Sequence, residues 1–183
     1  MVEEAPLEET ESGLQPVSEG WFVVNVRDAR WTRGEPFGAS CPFEGPWPKA
    51  WFRALGINLR VLQPGQPNCL YHRESQQEDF LVLAGECLLL VEGQERPLRA
   101  WDFVHCPPNT EHVFVGAGEG PCVMLMVGAR SDAEALFFPV SELARRYGAG
   151  VETETDSGKE AYARGFPGRE AARPDSWRDL PWV

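Results

Sequence analysis

Two histidines and two glutamates have the most informative spacing in the sequence. His72 and Glu74 are separated by one residue, Glu78 follows four residues later, and His112 ends the segment 107–112. Imidazole nitrogens and carboxylate oxygens bind divalent metal ions, and two of each leave open positions for water or a substrate. The sequence therefore predicts a metal centre formed by His72, Glu74, Glu78 and His112.

These side chains can meet only if separate strands present them at one point. Residues two apart on a strand face the same way, so His72 and Glu74 share a face. Short apolar segments recur between turn residues, which is typical of an antiparallel sandwich or barrel, because parallel βαβ units need long helical crossovers. The predicted strands are 56–62, 80–83, 87–91, 103–106 and 122–127.

The flanks of this region are predicted from composition and from capping residues. Residues 1–20 are acidic and are expected to form a flexible arm, either loose or lying across a neighbouring subunit. A first strand is expected at 21–26, before a Gly- and Pro-rich surface connection at 32–49. One helix is predicted at 142–147, with Ser141 as its N-cap. The apolar end residues Trp177, Leu180, Pro181 and Trp182 are expected to pack back on the barrel or on a partner.

The composition argues against several classes of function. With 28 acidic and 17 basic residues, the chain has a net charge of −11, which repels phosphate backbones and anionic lipid headgroups. Neither nucleic acid nor a membrane is therefore expected as a partner. The acidic N-terminus lacks the pattern of a signal peptide, and the five scattered cysteines are typical of reduced thiols. A cytoplasmic location is expected.

The metal-centre residues resemble the two sequence motifs of the cupin superfamily. In cupins the first motif has His-x-His, three or four residues, Glu, six residues and Gly, and the second has Pro-x-Gly-x-x-His. Here His72, Glu74, Glu78 and Gly85 follow the first spacing, and the segment 107–112 follows the second. The resemblance implies a small bacterial single-domain cupin and the same four metal ligands.

The resemblance extends over residues 51–128 and implies an all-β fold. The segment 86–101 has the family's hairpin, with its turn at Glu92 and Gly93. The implied architecture is a double-stranded β-helix, or jelly-roll barrel, with an N-terminal arm and a short C-terminal helix plus tail. The expected division is an arm at 1–20, a barrel at 21–130, and a helix and tail at 131–183.

Three residues depart from the cupin motifs. Glu74 replaces the second His, Trp101 replaces a Gly, and Asn109 replaces the Gly of Pro-x-Gly. Because Asn adopts the left-handed backbone conformation readily, we expect the turn at Asn109 to form. Glu74 is either a ligand or a solvated strand residue. As a ligand it would make the site formally neutral, which favours Mn²⁺ or Fe²⁺, with Zn²⁺ also compatible.

The resemblance implies a small-molecule function without choosing the reaction, since cupins include dioxygenases, isomerases, epimerases and decarboxylases. The leading hypothesis is a metal-dependent enzyme of dioxygenase or isomerase type acting on a small oxygenated molecule. His105 and Glu111 are candidates for the general base, although His105 also suits a hydrogen-bonded structural role. The alternative is a non-catalytic binding cupin with a weak, structural or absent metal, and a third is a storage-like or structural role. A homodimer is expected, because such barrels hide exposed sheet edges.

Overall fold

The computed structural model describes residues 1–133, 135–163 and 170–181. Within these ranges the chain is mostly β-structure with few helices. The elements in chain order are β1 Leu7–Thr10, β2 Gly13–Pro16, β3 Thr32–Arg33, β4 Ala39–Pro42, β5 Leu55–Leu62, β6 Arg73–Glu74, β7 Glu78–Ala84, β8 Glu86–Val91, β9 Gln94–Arg99, β10 Phe103–Cys106, β11 His112–Ala117, β12 Cys122–Ala129, β13 Leu136–Phe137, α1 Glu142–Arg146, α2 Gly158–Ala161, β14 Glu170–Ala171 and a 3-10 helix Trp177–Asp179.

Two antiparallel sheets enclose the main core. The larger sheet has the strand order β10-β7-β12-β5-β4-β3-β14, and the smaller has the order β11-β8-β9. Phe80 and Met124 from the larger sheet pack with Leu89 and Phe114 from the smaller one. Burial of these apolar side chains between the sheets holds them together. The predicted jelly-roll barrel is confirmed.

The side chains of strand β7 point alternately into the barrel core and to the outer side of the large sheet. Phe80 and Val82 point into the barrel core, whereas Leu83 packs on the outer side of the large sheet. That outer side is covered by Trp31 from the N-terminal region and by Leu180 from the C-terminal region. The flanks of the chain therefore complete a second apolar layer behind the large sheet, on the side away from the barrel core.

The N-terminal expectations need correction. The segment 1–20 contains the antiparallel hairpin β1-β2, and a backbone bridge joins Glu4 to Trp21. The segment 21–26 forms no strand. The predicted surface connection at 32–49 contains β4, which pairs with β5 and whose Cys41 is 0% exposed. The four residues of β4 form a largely buried strand between Gly- and Pro-rich turns, because sheet pairing outweighs local composition.

The C-terminal expectations agree more closely with the structure. Helix α1 begins after Ser141, whose hydroxyl accepts a hydrogen bond from the Ala144 N–H, as predicted. Helix α2 and the 3-10 helix were not predicted. Leu180 packs on the barrel, whereas Trp182 lies outside the described residues. The helices that the structure describes are all too short or too polar to cross a bilayer.

The predicted hairpin between β8 and β9 is also present. Glu92 and Gly93 have φ values of 48° and 72°, and the two strands pair in register from Glu86↔Arg99 to Val91↔Gln94. Positive φ at both central residues is the conformation that matches the right-handed twist of a two-residue hairpin. This hairpin belongs to the smaller sheet and helps to place β11, which carries His112.

Candidate metal centre

His72 and His112 lie opposite each other in an antiparallel bridge. The His72 N–H donates to the His112 carbonyl at 3.2 Å, and the His112 N–H donates to the His72 carbonyl at 2.8 Å. Residues paired in this way project their side chains to the same face. The two imidazole centroids are accordingly 5.0 Å apart. Backbone pairing thus brings together two histidines that are distant in sequence.

Both imidazoles are oriented by backbone carbonyls on their Nδ1 side. Nδ1 of His72 lies 2.8 Å from the Leu70 carbonyl oxygen, and Nδ1 of His112 lies 3.0 Å from that of Thr110. Since a carbonyl only accepts hydrogen bonds, each Nδ1 carries the proton. Carbonyl contacts of this kind fix the orientation of metal-binding histidines and leave Nε2 to face the ligand.

Glu78 is placed by the alternation of β7. It is the first residue of the strand and shares the inward face with Phe80 and Val82, so its carboxylate enters the barrel at the mouth. Glu78 Oε2 lies 3.4 Å from His112 Nε2. The apolar residues deeper in the barrel therefore lie beneath a polar rim that holds two imidazoles and a carboxylate.

A turn at the second motif links His112 to the first motif. Asn109 has a φ of 68°, which confirms the predicted left-handed conformation. The Asn109 N–H donates to the Glu74 carbonyl at 2.7 Å, and the Thr110 N–H donates to the Pro107 carbonyl at 3.2 Å. These hydrogen bonds hold the turn against the strand segment that carries His72 and Glu74.

Three of the four predicted ligands converge. Within the described residues, a ligand atom from each of His72, Glu78 and His112 lies within 4.8 Å of the other two. Atoms that bind one ion at about 2.0–2.2 Å are separated by up to about 4.4 Å, so small side-chain shifts suffice. Glu74 lies outside this group, with its Oε1 3.6 Å from His72 Nε2.

The chemistry of the facing atoms also fits a cation. His112 carries its proton on Nδ1, so its Nε2 presents a lone pair toward the Glu78 carboxylate. Because both of these atoms are acceptors, their 3.4 Å contact is not a hydrogen bond. A divalent ion between them can bind both atoms, and His72 supplies a third ligand atom nearby.

The pKa values of the two histidines diverge. Burial, followed by the charge on His72, lowers the pKa of His112 from 6.5 to about 4. Burial also opposes protonation of His72, but the Cys69 sulfur and the Glu74 and Glu78 carboxylates raise its pKa well above the ordinary value. In the metal-free protein, therefore, His72 carries the positive charge. Metal binding must displace its proton.

Glu74 remains an ionised carboxylate beside the three converging ligands. Burial opposes its ionisation, but the hydrogen bond and positive charge of His72, with further charge from His112 and Arg130, lower the pKa. Its side chain is about one-fifth exposed and lines the same cavity. The position accordingly suits either a fourth ligand or a proton acceptor next to the ion.

The cavity above these residues has a volume of about 190 Å³. Its wall includes Asn58 and Arg60 of β5 and Arg130 beyond β12, none of which the sequence analysis identified. The sequence does contain a pattern that points to two of them, since Gly56, Asn58 and Arg60 alternate with apolar residues along one strand and so share a face. Within the described residues, Asn58 Oδ1 is buried without a hydrogen-bond partner, and a ligand donor in the cavity can satisfy it.

Arg130 forms the wall of the cavity on its outer side. Its two terminal nitrogens donate to the Glu44 carboxylate at 2.6 and 2.9 Å, and Nη1 also donates to the Phe52 carbonyl at 2.7 Å. The guanidinium lies 3.6 Å from the centroid of the Trp51 ring. Because Glu44 neutralises it in a two-pronged ion pair, Arg130 is fixed in position.

The two predicted base candidates are placed elsewhere. His105 pairs with Asp79 across β10 and β7, and its Nδ1 lies 2.7 Å from Asp79 Oδ1 on a half-exposed surface. Glu111 lies 3.5 Å from Arg73 Nη1, and neither candidate lines the cavity. Each is one residue away from an inward position, Glu111 from His112 and His105 from Cys106. Alternation therefore directs both away from the three ligands.

Comparisons with known proteins support the fold. The family model described as a cupin domain matches residues 58–128. The structure of a sugar phosphate isomerase of the cupin superfamily from Silicibacter pomeroyi is similar, with 25% identity and a TM-score of 0.50 over 57% of this chain. This chain spans 66% of that isomerase, slightly less than two thirds of its length.

A second solved structure shares the architecture. The polyketide cyclase RemF from Streptomyces resistomycificus matches with 16% identity and a TM-score of 0.51, over 60% of this chain and 79% of the cyclase. A comparison with curated proteins gave no match. Residues 58–128 of this double-stranded β-helix thus match the family model of a cupin domain.

Proposed function

We propose that this cupin is a metal-dependent enzyme that acts on a small oxygenated molecule. His72, Glu78 and His112 are the proposed ligands of a divalent ion, either Fe, Mn or Zn. The main support is the convergence of two oriented imidazoles and one carboxylate at the mouth of an apolar barrel. Two nitrogens and one oxygen leave coordination positions for a substrate.

The residues around the cavity can supply a proton acceptor, a hydrogen-bond acceptor and an apolar floor for the reaction. A bound divalent ion supplies a Lewis acid that polarises a substrate oxygen. Glu74 takes a proton from the substrate, since its carboxylate lines the cavity beside the three ligands and its lowered pKa keeps it ionised. Asn58 accepts a hydrogen bond from a substrate hydroxyl at its partnerless Oδ1. Phe80 and Phe114 beside His112 exclude water from the floor.

This arrangement favours an isomerase-type proton transfer. An isomerase moves a proton between neighbouring carbon atoms of a hydroxy-carbonyl compound, which needs a carboxylate base beside a polarised oxygen. Glu74 is such a carboxylate and lies outside the group of three converging ligands. The similarity to a sugar phosphate isomerase agrees with this reaction class.

A dioxygenase is the second candidate, and one observation favours it. Two histidines and one carboxylate with open positions are the ligand set of non-haem Fe(II) oxygenases. His72, Glu78 and His112 match that set. Oxygen uptake by the iron-loaded protein with enols or catechols therefore distinguishes this candidate from proton transfer.

The test combines metal content with a direct readout of proton transfer. Protein purified without a nickel column is analysed for metal and reconstituted with Fe²⁺, Mn²⁺ or Zn²⁺. Small hydroxy-aldehydes, hydroxy-ketones and sugar phosphates are then incubated with it in D₂O, and nuclear magnetic resonance follows deuterium incorporation at carbon. We expect exchange in the wild type and a loss of about 100-fold or more in Glu74→Gln, with its metal content unchanged.

Glu111→Gln is the matched control, because Glu111 lies outside the cavity and should affect neither metal content nor exchange. Equal losses in the two variants would remove Glu74 from its proposed role. Metal uptake without any turnover would favour the non-catalytic binding cupin. Metal below about one-tenth equivalent after reconstitution would contradict the metal centre itself.

We also propose a homodimer that covers the free edge of the large sheet. Strand β10 ends that sheet, and Trp101 and Phe103 beside this edge are exposed. An unpaired edge with apolar side chains favours association. A cytoplasmic location is part of the same proposal, and the five free cysteines are compatible with it.

A further inference from the structure

A second, larger pocket adjoins the metal cavity. Its volume is about 770 Å³, compared with about 190 Å³ for the inner cavity, and Arg130 lines both. Sites for drug-sized molecules occupy roughly 300–1,000 Å³, so the inner cavity alone suits only a small head group. A longer substrate that extends past Arg130 reaches the outer pocket, whose wall includes Trp47, Trp51 and Arg53.

Trp47 stands at the tip of a braced loop on this wall. The Gly45 N–H donates to the Ala50 carbonyl at 2.9 Å, and the Ala50 N–H donates to the Pro46 carbonyl at 3.0 Å. Gly45 packs closely on Pro16, where a Cβ would lie 1.9 Å from the Pro16 oxygen. Although its loop is fixed, Trp47 is 74% exposed. An indole held outward beside a pocket can stack on a ligand with little loss of entropy.

Trp51 gives the same pocket a second fixed ring. Arg130 lies 3.6 Å from its centroid and is itself held by Glu44 and Phe52. Because Glu44 neutralises Arg130, the shared wall offers a rigid aromatic surface rather than an unpaired cation. Arg53 at the rim is mostly exposed and faces Glu19 at 3.6 Å, an ion pair too exposed to add much. The two indoles therefore give the outer pocket faces on which a ligand ring can stack.

We propose that the outer pocket binds a planar ring of the same substrate whose oxygen-bearing head enters the metal cavity, with Trp47 as the stacking residue. This inference rests on the proposed function and narrows the substrate class to molecules that join a metal-binding oxygenated group to a ring. Trp47 is then a specificity-determining residue for ring-bearing substrates.

Hydroxamic acids provide the probes, because their two oxygens chelate a metal whatever group they carry. Acetohydroxamate has no ring, whereas benzohydroxamate and 3-phenylpropionohydroxamate carry one at two distances. Their affinities for Zn²⁺-loaded protein are measured by titration calorimetry. We expect at least one ring-bearing probe to bind the wild type about three- to tenfold more tightly than acetohydroxamate, and Trp47→Ala to abolish the gain.

Trp101→Ala is the matched control, since Trp101 is also 74% exposed but does not line the pocket. The Trp101→Ala variant should still bind the ring-bearing probe more tightly than acetohydroxamate. Unchanged acetohydroxamate affinity in both variants shows that the inner site is intact. If Trp47→Ala keeps the gain, or if no ring-bearing probe gains affinity, this inference is wrong while the metal centre stands. Failure of the wild type to bind Zn²⁺ or acetohydroxamate would overturn both proposals.

Discussion

Two histidine–carboxylate pairs use opposite faces of strand β7, on which Glu78 and Asp79 are neighbours, and the pairs differ sharply in environment. His112 and Glu78 face the barrel, with side chains 1% and 14% exposed and 3.4 Å between Nε2 and Oε2. His105 and Asp79 face outward, with side chains 50% and 26% exposed and 2.7 Å between Nδ1 and Oδ1. The shorter contact is the exposed one.

The difference teaches that burial, rather than proximity, makes such a pair useful for metal binding. Water can satisfy any atom that the outer pair leaves unpaired, so that pair contributes little. The inner pair has little access to water, and the Nε2 of His112 faces a carboxylate as an acceptor. A cation between the two acceptor atoms can bind both of them. Glu78 and Asp79 are nevertheless adjacent in the sequence. Because neighbouring residues on a strand point to opposite faces, Glu78 is a candidate ligand inside the barrel and Asp79 forms an ion pair on the surface.

The largest expected effect comes from neutralising the inner carboxylate. Structural Zn²⁺ sites are worth roughly 10–16 kcal/mol over three or four ligands, so losing one costs about a thousandfold in affinity. We expect Glu78→Gln to weaken Zn²⁺ binding by that factor and Asp79→Asn to leave it unchanged. Competition with a chromophoric chelator measures both. Comparable affinities in the two variants would remove the distinction between the faces.

The next effect is the dependence of stability on pH. His112 is protonated near pH 6.5 when unfolded but only near pH 4 when folded, so the unfolded state takes up the proton first as the pH falls. The metal-free protein should lose about 3 kcal/mol from this residue across that window. His72 acts with the opposite sign. Its raised pKa gives stability that is present below the unfolded value and lost as the pH rises through the folded value.

Urea unfolding at several pH values isolates the His112 contribution. Relative to the wild type, His112→Gln should flatten the loss of stability between about pH 6.5 and pH 4. His105→Gln should follow the wild type, because His105 lies on the exposed face. Parallel curves for all three proteins would mean that burial of His112 does not control its protonation.

A smaller effect is expected from the outer pair. Exposed ion pairs contribute up to about 1 kcal/mol and are screened by salt. Asp79→Asn should therefore lower the free energy of unfolding by less than about 1 kcal/mol at low ionic strength, and by almost nothing at about 1 M salt. Guanidinium is itself a salt, so urea is the denaturant of choice. A salt-insensitive loss of several kcal/mol would show that the outer pair is a structural element of the core.

The smallest effect concerns backbone strain beside the exposed edge. Trp101 has a φ of 76°, and a Gly occupies this position in the cupin motif that the sequence resembles. A bulky residue in the left-handed region costs about 1–2 kcal/mol, and glycine offsets part of the gain through its freer unfolded chain. Trp101→Gly should raise the free energy of unfolding by about 0.5–1 kcal/mol without changing metal affinity. A destabilised variant would mean that Trp101 makes contacts that outweigh the strain.

The sequence predicted the features that depend on local pattern. Alternating apolar residues between turn residues located β5, β7, β8, β10 and β12, and motif spacing identified the residues that converge at the mouth, His72, Glu78 and His112. The left-handed turn at Asn109 followed from the conformational freedom of Asn. These predictions need no knowledge of which strands are neighbours.

The features that were missed depend on packing and register. The acidic composition of residues 1–20 gave no sign of the β1-β2 hairpin. Its two strands pair with each other, and backbone bridges join this region to Trp21 and Ala29. Asn58 and Arg60 alternate with apolar residues along β5, but only the pairing of β5 with β12 shows that this face lines the cavity together with Arg130. His105 was proposed as a base because strand parity could not be assigned without register.

The central claim is that two imidazoles and one carboxylate at the barrel mouth bind a single divalent ion. The most direct measurement is a crystal structure of Zn²⁺-loaded protein with anomalous diffraction at the metal edge. We predict one ion bonded to Nε2 of His72, Nε2 of His112 and the carboxylate of Glu78, each at about 2.0–2.2 Å. An anomalous peak at the His105–Asp79 pair instead, or an ordered barrel mouth without any peak, would contradict it.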